Sequence, residues 1–254
     1  MYFSPKEMVN AEPDNYEIAI NDKVSLHAWR FKSKQPTAKA VVVQFHGNGE
    51  NMTSHYVSTV WLINQGYDLF TFDYRGYGKS GGVPSFPQVV GDSIKVLEFV
   101  QAQYKDQPIP IIVYGQSLGS MIAYNTVRHT KIKIDQMILE GGIYSLNQVS
   151  ADVLSRHWVT WLFQPMGHVL MSHKYNFKKV AKDFPKIPVL ILHSKPDPII
   201  PYTQSEKIFK KLNVPTKCLK LVDEREHTNI GNVANGKYRV DILGFLEKQT
   251  CPAS

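Results

Sequence analysis

One stretch constrains this chain more than any other: Val113-Tyr114-Gly115-Gln116-Ser117-Leu118-Gly119. The apolar run Ile109 to Tyr114 leads into it and reads as a buried strand. Ser117 to His129 leads out of it, with Leu118, Met121, Ile122 and Val127 at helical spacing. A G-x-S-x-G pattern between strand and helix requires a tight turn. The positions two before and two after the serine must then lack bulk, and both are glycine. Such a turn lifts the serine hydroxyl to the C-terminal edge of the strand, at the positive end of the next helix. It also leaves the Leu118 N–H available to a developing oxyanion. That context is a nucleophile elbow. The plainer alternative is a glycine turn with an N-cap serine.

The rest of the chain alternates. Tyr16 to Ile20 and Val24 to Phe31 read as a hairpin turning at Asn21-Asp22. Further strands are expected over residues 40–45, 67–72, 136–139, 189–192 and 217–222, and helices over 53–65, 88–104, 203–212 and 232–247. Continuous apolar strands such as Ala40 to Phe45 are buried on two faces. The expectation is an α/β protein with a mostly parallel central sheet flanked by helices on both faces, one domain spanning residues 1–254. Between Ile143 and Pro185 the alternation breaks into a helical, aromatic stretch with Trp158, Trp161, Phe163, Met166, Leu170 and Met171. We read 143–185 as a helical cap insertion over Ser117, with Trp158 and Trp161 contacting an apolar substrate chain.

Composition removes other classes. With 43% hydrophobic and 20% charged residues the chain has an ordinary globular balance. No apolar run approaches the ~18 residues of a membrane span, and the N-terminus has no signal-peptide core. The net charge of +7 includes a lysine-rich second half, Lys174 to Lys211. Such lysines usually form a solvated face; weak peripheral contact with an anionic surface is the alternative. No nucleic-acid-binding module is evident. Cys218 and Cys251 provide no disulfide framework, and Cys218 reads as a buried thiol. A cytoplasmic setting fits. His157, His168 and His173 lack metal-ligand spacing, so neither metal nor cofactor is expected.

A serine hydroxyl needs an adjacent base, itself oriented by a third group. In a parallel sheet these belong in loops after later strands. Asp197 follows the strand ending near Leu192, and His227 follows the strand ending at Val222. The chain order is therefore Ser, Asp, His. With His46-Gly47-Asn48-Gly49, Asp73-Tyr74-Arg75-Gly76-Tyr77-Gly78, Gly115-Gln116-Ser117-Leu118-Gly119 and His193-x-x-x-Asp197, the sequence resembles the α/β-hydrolase superfamily over nearly its whole length. It looks most similar to the branch of Bem46-like proteins and α/β-hydrolase-domain depalmitoylases and lysophospholipases. The resemblance implies Ser117 as nucleophile, Asp197 as orienter, His227 as general base, and an oxyanion hole from the N–H groups of Leu118 and Asn48. It implies a serine hydrolase cleaving an acyl ester or thioester, with a peptidase, an amidase or a non-catalytic binding protein as alternatives. His46 and Asp73 read as braces of the oxyanion loop, and His193 as a weaker candidate for the base. Glu226, beside His227, is where many members have glycine, and a carboxylate there would raise the base's pKa.

Overall fold

The computed structural model describes residues 11–155 and 173–252. Among them, eight strands form one sheet: β1 (Asp14–Asn21), β2 (Val24–Phe31), β3 (Ala40–Phe45), β4 (Tyr67–Phe72), β5 (Ile111–Gln116), β6 (Gln136–Glu140), β7 (Val189–Ser194) and β8 (Lys217–Val222). Their order is β1-β2-β4-β3-β5-β6-β7-β8. The hairpin pair and the β2–β4 pair are antiparallel, and every pair from β4 to β8 is parallel. This is the mostly parallel sheet expected from the alternation.

Period-two burial explains why the central strands carry no polar face. Val41, Val43, Ile111, Val113, Met137, Leu139, Val189 and Ile191 point into one core. There they meet Val96, Leu97 and Val100 of the helix Phe86–Gln103, and Met121, Ile122 and Val127 of the helix Leu118–His129. Val42, Ile112, Tyr114, Ile138, Leu190 and Leu192 point into the opposite core. Trp61 and Ile63, with Ile242 and Phe245 of the helix Arg239–Lys248, cover that side. Both faces are therefore sealed by apolar side chains.

Two expected helices take another form. Residues 53–65 are a single α-turn, Met52–His55, followed by two 3₁₀ segments, Tyr56–Ser58 and Val60–Gln65. The stretch is rich in serine and β-branched residues, which lose rotamer freedom in a helix or bond locally instead. Ser58 Oγ donates to the His55 carbonyl at 2.8 Å. The final helix is broken differently, by left-handed residues. Ala234 and Asn235 have φ of 48° and 56°, so Val233–Gly236 is separated from Arg239–Lys248.

Cys218 is not a free thiol. It forms a disulfide with Cys251. The chain beyond the last helix folds back along β8, and that return brings together residues 33 apart in sequence. Spacing alone carries no sign of it.

The two ends of the 143–185 stretch lie together. The Phe177 N–H donates to the Tyr144 carbonyl at 2.9 Å, and the Leu146 N–H donates to Asn176 Oδ1 at 3.2 Å. Both ends are also tied to the helix after Ser117. The Tyr124 hydroxyl donates to the carbonyls of Ile143 and Tyr175, at 3.1 and 3.2 Å. Trp158 and Trp161, expected to touch substrate, lie outside the described residues.

Candidate active site

The turn at Ser117 is strained in the manner its sequence required. Ser117 has φ 52° and ψ −120°, a region disfavoured for any residue with a Cβ. Its flanking glycines leave no room for a substituent. A Cβ on Gly115 would lie 2.7 Å from Ser120 Cα, and one on Gly119 would lie 2.1 Å from the Phe45 carbonyl oxygen. The helix N-terminus is thus pressed against the end of β3. The Ser117 carbonyl accepts from the Ser120 hydroxyl at 2.6 Å. Leu118 opens the helix, so its N–H is among those a helix leaves without an internal carbonyl.

His227 and Asp197 converge on this serine from separate loops. His227 Nε2 lies 2.8 Å from Ser117 Oγ, and His227 Nδ1 lies 2.7 Å from Asp197 Oδ2. Asp197 Oδ1 accepts the N–H groups of Ile199 and Ile200 at 2.7 and 2.9 Å. Burial pushes the Asp197 pKa up, but the bonds from His193 and His227 outweigh it and hold the carboxyl well below its usual range. An ionised Asp197 fixes the His227 tautomer with its proton on Nδ1. Nε2 is then the acceptor, and the serine hydroxyl is the donor.

His193, the weaker candidate for the base, has another place. Its Nε2 lies 3.1 Å from Asp197 Oδ2 and 3.0 Å from the Ile200 carbonyl, while Nδ1 accepts from Ser205 at 2.7 Å. It is fully buried and bonds the same carboxylate oxygen of Asp197 that His227 bonds. Its position four residues before Asp197 was visible in the sequence, but its direction was not. Glu226 bonds the main chain of its neighbour: its Oε1 accepts the His227 N–H at 3.0 Å.

The loop after β3 lies over the elbow. A Cβ on Gly47 would sit 3.4 Å from Ser117 Cβ, so glycine permits the approach. Asn48 Oδ1 accepts the Tyr77 hydroxyl at 2.7 Å. His46 is fully buried, and its Nδ1 donates to the Gly47 carbonyl at 2.7 Å. Burial depresses its pKa to about 3, so it stays neutral. Asp73 Oδ1 accepts the Met52 N–H at 2.7 Å and ties the far end of this loop to β4. Both contacts are braces of the kind expected. An open cleft of about 130 Å³ adjoins the elbow, walled by Tyr74, Tyr77, Phe86, Val89, Leu118 and Ile122. Among the described residues no group of three or more His, Cys, Asp or Glu side chains is placed to hold a metal ion.

Sheet order, elbow and converging loops define an α/β hydrolase. Residues 36–185, more than half of the chain, match the Hydrolase_4 family, described as "Serine aminopeptidase, S33", and the chain belongs to that family. It is 26% identical to the uncharacterized protein YfhR of Escherichia coli K12, covering 96% of this chain and 85% of that one. It is 28% identical to protein bem46 of Schizosaccharomyces pombe, over 85% of this chain and 73% of that one. It is 29% identical to the mouse lysophosphatidylserine lipase ABHD12, over 77% of this chain and 55% of that one. Among solved structures, an esterase of Pyrococcus furiosus superposes with TM-score 0.77 at 18% identity, covering 98% and 94% of the two chains. A monoglyceride lipase of Saccharomyces cerevisiae superposes with TM-score 0.76 at 20% identity, covering 98% and 99%. These superpositions establish the fold.

Proposed function

We propose that the protein is a serine hydrolase cleaving acyl esters or thioesters, with Ser117 as nucleophile, His227 as general base and Asp197 as the residue that orients the base. One observation carries the reading: the unbroken contact from Asp197 Oδ2 through His227 to Ser117 Oγ, at 2.7 and 2.8 Å. Ser117 Oγ attacks the acyl carbonyl carbon while its proton passes to His227 Nε2. The N–H groups of Leu118 and Asn48 receive the oxyanion. The intermediate collapses as Nε2 returns the proton to the leaving alcohol or thiol. Water, deprotonated by the same nitrogen, then releases the acid from Ser117.

Residues 143–185 form a cap over this site in our reading, supported by the meeting of their two ends beside the helix that Ser117 opens. The apolar cleft at Leu118 favours an apolar acyl group, with Trp158 and Trp161 as further contacts. The lipase names carried by a relative and a structural neighbour point to the same substrate class. The family description "Serine aminopeptidase" makes amides the second class to try.

The test is kcat/KM over p-nitrophenyl esters of increasing acyl length, with thioester and amide counterparts. Wild type turns over esters, and Ser117→Ala loses at least about 10³-fold, the usual cost of removing such a group. A purified Ser117→Ala protein with wild-type turnover rules the assignment out.

A further inference from the structure

A buried carboxylate outside the proposed Ser-His-Asp set stands beneath it. Glu140 ends β6 and is fully buried. Its Oε1 accepts two successive main-chain N–H groups, Asn229 at 2.8 Å and Ile230 at 2.5 Å. These residues lie two and three positions beyond His227. Asn229 has φ 96°, the left-handed backbone that lets consecutive amides form a concavity for an anion. Its Oε2 accepts Gln116 Nε2 at 2.7 Å and the Tyr114 hydroxyl at 3.1 Å. Four donors face one carboxylate, which matches the acceptor capacity of the ionised form. Burial raises its pKa, and the four donors oppose that rise.

The contacts reach both partners of the proton transfer. Gln116 immediately precedes Ser117, and the Ser117 N–H donates to the Glu140 main-chain carbonyl at 2.9 Å. The next residue, Gly141, lies under the base: a Cβ there would stand 3.3 Å from His227 Cε1. The polar chain continues from Gln116 Oε1 to Gln44 Nε2 at 2.8 Å, and from Gln44 Nε2 to the His55 carbonyl at 2.9 Å. That last carbonyl belongs to the final residue of the α-turn Met52–His55, which follows the oxyanion loop. One side chain is therefore bonded to the loop bearing the base, and directly or through one amide to the strand bearing the nucleophile.

We propose that Glu140 is a positioning residue for His227: its carboxylate, seated on the Asn229 and Ile230 amides, sets the separation between His227 Nε2 and Ser117 Oγ. This rests on the serine-hydrolase reading and extends it to a residue that touches neither substrate nor reacting atoms. The geometry also gives the role a direction. Loss of the anchor displaces the base rather than the acyl cleft, so the chemical step suffers before substrate binding does.

The experiment compares wild type with Glu140→Gln, which keeps the size of the side chain and removes its charge. The readouts are the rate of phosphonylation by a fluorophosphonate, kcat and KM on a p-nitrophenyl ester, and the far-downfield proton resonance of the His227–Asp197 bond. A folded E140Q is expected to lose about 10- to 100-fold in phosphonylation and kcat, the cost of a displacement near 1 Å. Its KM stays within about threefold and the resonance is lost or broadened, changes that simple destabilisation does not produce in a folded enzyme. Wild-type rates with an intact resonance overturn the proposal. If E140Q does not fold, Glu140→Asp, which keeps the charge and shortens the reach, is read by the same criteria. Amide hydrogen exchange in the wild type decides independently: Asn229 and Ile230 should be as protected as β6, and fast exchange there overturns the proposal. A wild type inert to the fluorophosphonate and to every ester removes the serine-hydrolase reading itself, an outcome distinct from any change confined to the variants.

Discussion

Ser117 concentrates the cost of the site in one residue. Its φ of 52° holds the hydroxyl away from the helix that follows, and a residue with a Cβ gives up about 1–3 kcal/mol in such a conformation. Glycine has no Cβ, although it loses more chain entropy on folding, about 0.5–1 kcal/mol relative to alanine. Ser117→Gly is therefore expected to be inactive yet more stable than Ser117→Ala, by about 1 kcal/mol in urea denaturation. A Ser117→Gly protein less stable than Ser117→Ala would mean that the elbow is unstrained. His193 shows where reading by residue type stops. Its spacing from Asp197 is plain in the sequence, yet whether a histidine reaches the serine or only the acid depends on side-chain direction. Three-dimensional packing sets that direction, with Ser205 on one nitrogen and the Ile200 carbonyl on the other. Glu140 was hidden for the same reason, because its partners are main-chain amides 89 and 90 residues away.

At the scale of elements, the strands were legible and the connections less so. Apolar runs such as Ala40–Phe45 and Val189–Leu192 are short and rich in β-branched residues, which suits strands buried on two faces, and their alternation with helices points to the parallel sheet. The stretch 53–65 misled because its apolar spacing suits a helix while its serines and β-branched residues do not. The Cys218–Cys251 bond escaped because a strand and a tail have no periodicity in common. It carries a prediction of its own. Closing a chain separation of 33 residues restricts the unfolded ensemble by about 3–4 kcal/mol in the chain-entropy account. Cys251→Ser, or reductant added to the wild type, should lower the urea midpoint markedly while leaving ester turnover unchanged, since the bond lies on β8 and the C-terminal tail. A midpoint indifferent to both treatments would contradict that expectation.

The molecule as a whole sets a two-sided apolar core beneath a C-terminal edge that carries Ser117, Asp197, His227 and His46, and buried groups at this edge make stability depend on pH. Burial takes the His46 pKa from 6.5 to about 3 and lowers that of His55 as well. Below pH 6.5 the unfolded chain binds protons that the folded one refuses, so stability falls as pH falls. His46 contributes up to about 1.4 kcal/mol per pH unit across that window. Asp197 acts at lower pH: its depressed folded value stabilises above 3.8 and is lost as pH falls through it. Unfolding free energy should therefore decline between pH 6.5 and 4 with a slope that His46→Gln reduces, whereas an unchanged slope would mean that His46 titrates normally. In the proposed reaction this edge makes Ser117 a nucleophile. Intact-mass and peptide analysis after incubation with a fluorophosphonate tests it most directly. One phosphonyl adduct is expected, on Ser117, formed as esterase activity disappears and absent from Ser117→Ala. Full esterase activity with Ser117 unmodified, or an adduct on another residue that accounts for the loss, would contradict it.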